Sequence, residues 1–264
     1  MFGFNLTALL GGFFSLQIPA NNANPGTDLQ SMMNVSPTDW HCSMSYFHCL
    51  FSLCLLASGH VAFAISSVRD QEIAQCLPGE ITTWGDGQDR AAISSPILFV
   101  YQHASSPVWF DQPLVMAAIQ RSAQAWSQCG IASRVTRVSN ARRPTGSVLI
   151  QWSEEGSRGN FGLANLGDRT LSLGPAAFQM LQTRRPDFDA RSTLQMVISH
   201  EMGHIFGVMS HSRRCVDVTS YYNNGQGDTC HIRGGEHLPR GIEYRSDLPT
   251  ACDIERCRKA NQPQ

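Results

Sequence analysis

The chain has 264 residues, 42% of them hydrophobic, enough to bury the core of one domain once a leader is set aside. A formal charge of -1, with no basic cluster beyond short pairs such as Arg142-Arg143 and Arg184-Arg185, excludes strong electrostatic recruitment to nucleic acid. No internal repeat is visible, which excludes a solenoid.

Residues 1–43 mix Gly, Asn, Pro and Ser, give no fold signal, and read as a non-structural extension. From Met44 the chain turns apolar, and Phe47 to Ala64 ends in Ala62-Phe63-Ala64, an A-x-A cleavage signature. Residues 44–64 are therefore expected to be a signal peptide, although a positive n-region is missing. A signal anchor is the alternative, because the run nears bilayer length. Residues 65–264 form one expected domain, secreted to an extracellular or periplasmic space, with no stable membrane association after leader cleavage.

Cys42, Cys49 and Cys54 fall in or before the leader, leaving Cys76, Cys129, Cys215, Cys230, Cys252 and Cys257. An even set without Cys-x-x-Cys spacing, behind a leader, predicts three disulfides in an oxidising compartment. The expected pairing joins Cys76 to Cys129, with the other four fastening the carboxy-terminal third. The rival is a Cys76 thiolate on a metal, which leaves an odd cysteine.

Residues 65–90 read as an irregular entry segment with Pro78-Gly79 and Gly85-Asp86-Gly87 as turn signals. Ile97 to Tyr101 is a β-branched and aromatic run, hence a strand. Leu114, Ala117, Ala118, Ile119, Ala123 and Trp126 mark the apolar face of a helix over 112–128, stopped by Gly130. Residues 134–138 alternate at period two and 147–152 are more densely apolar, predicting an outer and an inner strand. Residues 161–164 and 170–173 supply two more strands around a Gly167-Asp168 turn. Residues 174–191 read as a connector in which Asp187 and Asp189 favour the following helix amino terminus without any metal.

That helix, expected over 193–206, carries an apolar stripe of Leu194, Val197, Ile198, Met202, Ile205 and Phe206. Ser192 with Gln195 reads as its capping box and Gly207 as its stop. Within it, His200-Glu201-Met202-Gly203-His204 is a His-Glu-x-x-His motif. Residues i and i+4 share a helix face, so His200 and His204 can offer imidazoles to one metal ion. Glu201, about 100° further round, falls beside that ion as a general base. The turn at Gly207 returns the chain toward the site, with His211 as third candidate ligand. His231 and His237 are reserve candidates without a spacing argument.

In these residues the chain resembles the metzincin metalloproteases, whose signature is His-Glu-x-x-His-x-x-Gly-x-x-His. His200, Glu201, His204 and Gly207 match it, whereas Ser210 stands at the third histidine's place and His211 comes one residue late. The resemblance spans roughly residues 97–259. It implies an α+β, zincin-like fold: a twisted mixed sheet with an edge strand over a zinc-binding helix, a second long helix and a short carboxy-terminal helix over 247–260. It implies a Zn2+ cofactor and a monomeric endopeptidase. It places Gly162-Leu163-Ala164 at the edge strand that pairs with an extended peptide substrate. It also sets Thr219, within Asp217 to Tyr222, where the family carries a methionine beneath the zinc, and Tyr221 where a tyrosine supports the transition state. Two alternatives stay open: a zinc-stabilised binding module without catalysis, and a different zincin class with Asp217 as an acidic third ligand.

Overall fold

Strands and helices alternate because the apolar pattern does. In Val148–Trp152 every second side chain is buried, and the same period with Ile97, Phe99 and Tyr101 makes Ile97–Gln102 its neighbour. A computed structural model describes residues 2–4, 68–138, 143–186, 188–235, 238 and 243–262. The expected leader, Cys42, Cys49, Cys54, Arg142, Asp187 and His237 lie outside the described residues.

In chain order the elements are β1 (Phe2–Phe4), β2 (Ile97–Gln102), α1 (Gln112–Trp126), β3 (Ser133–Arg137), β4 (Val148–Trp152), α2 (Glu154–Ser157), β5 (Gly162–Asn165), β6 (Thr170–Leu173), α3 (Pro175–Arg184), α4 (Ala190–Ile205) and α5 (Ala251–Ala260). Residues 68–74, inside the expected irregular segment, are helical. The six strands form one sheet in the order β1-β5-β6-β4-β2-β3. β3, β2, β4 and β6 run parallel, whereas β5 is antiparallel to β6 and β1 antiparallel to β5. The architecture is thus α+β with a mixed sheet, β3 outer and β4 inner. Phe2–Phe4, from a stretch without fold signal, belongs to the same compact unit as residues 69 onward.

α1 and α4 share one core with the sheet: Val115, Ile119 and Trp126 meet Val197, Ile198, Met202 and Ile205 beneath Phe99, Val148 and Ile150. Every residue from Thr193 to Ile205 is buried, so α4 runs through the interior rather than along it. Its start differs from the expectation. Asp189, not Ser192, is the N-cap, accepting from the Arg191 N–H; Ser192 Oγ turns to Asp247, and Gln195 to Ser122 and Arg121 on α1. Three further residues, of which Ala190 is buried, therefore begin the helix, which packs against α1. The expected connector likewise contains α3, opened by Pro175 at its first turn and buried through Ala177, Phe178 and Leu181.

The disulfides are Cys76–Cys252, Cys129–Cys257 and Cys215–Cys230, which corrects the expected Cys76–Cys129 pair. Both Cys76 and Cys129 end on α5, so that helix, and not α1, fastens the entry segment. Three disulfides are the mark of a chain matured in an oxidising, extracellular-type compartment. Among the described residues no helix is long and apolar enough to cross a membrane.

Candidate metal centre

α4 brings its two histidines to one face, and close packing makes that possible. Gly203, between them, has no room for a side chain: a Cβ there would lie 2.8 Å from Trp126 Cζ2 and 3.1 Å from Thr219 Cγ2. Trp126 Nε1 donates to the Ser199 carbonyl at 2.8 Å, locking α1 onto this part of the helix. Gly207 ends the segment at φ +103°, where a Cβ would sit 1.9 Å from the Arg90 carbonyl oxygen. Only glycine fits.

Beyond that turn the chain doubles back and places His211 against His200 and His204. The three ring centroids lie 5.1, 5.1 and 5.2 Å apart, a nearly equilateral triangle. Ligand atoms of these buried histidines lie within 4.8 Å of one another, a group able to hold a metal ion. Each ring is fixed through Nδ1, His200 by the Val218 carbonyl and His204 by the Val208 carbonyl, both at 2.8 Å, and His211 by Asp86 Oδ2 at 2.6 Å. An acceptor at Nδ1 selects the tautomer with its proton there and its lone pair on Nε2, the metal-binding form. Burial, reinforced by the other imidazoles, holds His200 well below the usual histidine value, and burial with His211 brings His204 to about 3. Both rings are therefore neutral near pH 7, as ligation requires. The donor set, burial and tautomers fit a borderline-soft divalent ion such as zinc.

The floor of the site is the turn Asp217 to Tyr222. Asp253 completes a capping box with Thr250 at the start of α5, and its carboxylate also accepts from the Val218 N–H at 3.0 Å and from Thr219 Oγ1 at 2.6 Å. The cap of one helix thereby fixes the carbonyl that orients His200. Thr219 is fully buried against Gly203.

Glu201 is the only carboxylate on α4. Its Oε2 accepts from the Ala164 N–H at 2.7 Å, so β5 and the acid are joined directly; β5 lies between β1 and β6, which corrects its expected place at the sheet edge. Gly162 allows the approach, since a Cβ there would lie 2.6 Å from Val197 Cγ1 and 2.8 Å from Glu201 Cγ. Gly162 and Ala164 of β5 thus pack directly against Glu201. The outer edge of β5 is taken by the chain itself, with Phe2 opposite Ala164, Gly3 opposite Leu163 and Phe4 opposite Gly162.

Tyr221 is brought beside His211, centroids 4.8 Å apart, stacked on Trp84, with its hydroxyl donating to Asp86 Oδ2 at 3.2 Å. Burial and the Asp86 charge push its phenol well above the usual tyrosine range, so it stays protonated. Asp217 is not a ligand, which corrects the acidic-ligand alternative: its carboxylate takes Arg214, Ser212 and Thr250 below the floor. His231 lies near Thr82 and pairs its backbone with Arg213, apart from the triangle.

Asp86 was not singled out from sequence as a functional residue; its only signal was the Gly-Asp-Gly turn. Burial works against its ionisation, and hydrogen bonds from the ring and backbone N–H of His211 hold the carboxyl well below the usual range.

No family model matches the chain, and no curated protein matches it. Among solved structures, a chain of the GM1-bound form of the ECX AB5 holotoxin aligns at 15% identity and TM-score 0.41, covering 72% of this chain and 92% of that one. A likeness that loose carries no statement about chemistry.

Proposed function

We propose that the chain is a secreted zinc endopeptidase with a metzincin-like site. The observation that carries this reading is the buried triangle of His200, His204 and His211, each oriented through Nδ1, with Glu201 on the same helix as the first two and its carboxylate bonded to β5. Zinc bound by these histidines would supply a Lewis acid for a peptide carbonyl and lower the pKa of water toward neutrality.

The chain's own groups do the rest. Glu201 takes a proton from the attacking water and passes it to the departing amine, and the Ala164 N–H fixes which way the carboxylate faces. β5 holds an extended peptide antiparallel along its outer edge by main-chain hydrogen bonds. In the full chain Phe2–Phe4 has that place, so a substrate replaces it; cleavage after Ala64 would separate that strand from the rest.

The test is to purify the secreted protein and its Glu201→Gln variant, measure bound zinc, and follow casein cleavage. Zinc is expected in both and hydrolysis only in the wild type. Equal cleavage by the variant overturns the assignment of Glu201. Zinc without turnover by the wild type on any peptide library supports the binding-module alternative.

A further inference from the structure

His200 and His204 are placed by a helix, but His211 arrives after a turn one residue longer than the metzincin pattern, and something must hold it. The segment before β2 does so. Trp84 N donates to the His211 carbonyl, Arg213 N to the Thr82 carbonyl and Arg90 N to the Gly207 carbonyl, so residues 82–90 run beside 207–213 as a strap. Gly87 permits the contact, because a Cβ would lie 2.7 Å from the Met209 carbonyl oxygen. Asp89 accepts from the Met209 and Ser210 N–H groups and is itself held by Arg256 of α5. At the centre of the strap, Asp86 accepts from the His211 N–H at 2.9 Å, His211 Nδ1 at 2.6 Å, Ser210 Oγ at 3.1 Å and the Tyr221 hydroxyl at 3.2 Å.

We infer that Asp86 is the positioning residue for the third metal ligand, holding the backbone and ring of His211 at once so that Nε2 faces His200 and His204 despite the longer turn. The inference rests on these three histidines holding a metal ion. The two helical histidines lean on neutral carbonyls, which a fixed helix suffices to aim. The loop histidine has a carboxylate, and a charge-assisted bond both aims the ring more firmly and increases the electron density it gives to a metal.

The experiment compares full-length wild type, Asp86→Ala, Asp86→Asn and His211→Ala, all stripped of metal, with thermal unfolding as the folding control. Zn2+ affinity is read by competition with a chromophoric chelator, and the electronic spectrum of Co2+ in the site reads coordination number without reference to activity. Asp86→Ala is expected to weaken Zn2+ binding by about 10- to 100-fold and to move the Co2+ spectrum toward that of His211→Ala. Asp86→Asn keeps an acceptor for Nδ1 but no charge, and is expected to fall between wild type and Asp86→Ala. If Asp86→Ala does not fold, Asp86→Asn decides. Wild-type affinity and an unchanged Co2+ spectrum in the folded variants overturn the inference. Failure of the wild type itself to bind Zn2+ overturns the metal reading instead, so the two failures are distinct.

Discussion

The two halves of the metal centre are held by different physics. His200, Glu201 and His204 sit on a helix buried from Thr193 to Ile205, their spacing set by 3.6 residues per turn and their backbone bonds closed within the helix. His211 sits on a loop whose backbone groups are answered by residues 82–90, well over a hundred positions earlier, as in the Asp86 bond spanning 125 residues. A helix carries its geometry with it. The loop borrows its geometry, and the difference predicts which substitutions act on chemistry, which on folding and which on one ligand alone.

The largest effect belongs to the helical half. Glu201→Gln removes the proton acceptor without removing a ligand, and peptide hydrolysis should fall about 10²- to 10⁴-fold with zinc content unchanged, as measured by turnover and elemental analysis. On the loop half, Gly207→Ala should cost stability before it costs chemistry. A Cβ 1.9 Å from the Arg90 carbonyl oxygen, at φ +103°, forces the strap away from the turn, and roughly 2–4 kcal/mol of unfolding free energy should be lost in urea titrations. Unchanged stability would mean the strap is not tightly seated. Cys76→Ser with Cys252→Ser reaches the same half from further off by cutting the covalent tie between α5 and the segment that leads into the strap, leaving the Asp89–Arg256 pair. A loss of about 2–5 kcal/mol is expected, with zinc bound more weakly even in the folded fraction.

The pH dependence separates the halves by titration. Between about pH 3 and 6.5 the unfolded chain binds protons that buried His204, with its pKa near 3, and His200 refuse, so the unfolded state holds more protons and stability rises with pH. Metal-free protein should therefore be fully stable above pH 6.5 and lose stability as the pH falls through that window. His204→Gln should flatten the fall; an equally steep profile in that variant would show that other groups carry it. The smallest change is at the floor they share: Thr219→Val removes the bond to Asp253 and should cost about 1–2 kcal/mol, with a weaker hold on His200 as the accompanying sign.

What was legible in the sequence follows the same division. The α4 motif, the glycine stop, α1 and the chain order of the strands are local patterns, and His200, His204 and His211, named from them, come together. The exact start of α4 was not legible, because a helix whose whole circumference is buried gives no polar face to mark its limit, and Ser192 finds Asp247 instead of its own helix. Disulfide partners and the role of Asp86 depend on which distant segments meet. A Gly-Asp-Gly stretch in an irregular region announces a turn and nothing about what the aspartate will face. α3 was missed because its buried set, Ala177, Phe178 and Leu181, spans little more than one turn and shows no sustained periodicity.

The strap also orders the steps by which the site is assembled. Residues 76 and 252 come from opposite ends of the domain, and between them the third imidazole has no scaffold until those ends have met. A nascent chain holding only α4 offers an incoming ion two nitrogens, too few for a tight structural grip. On the proposed function, capture of the ion waits until α5 has docked and the Cys76–Cys252 bond has formed.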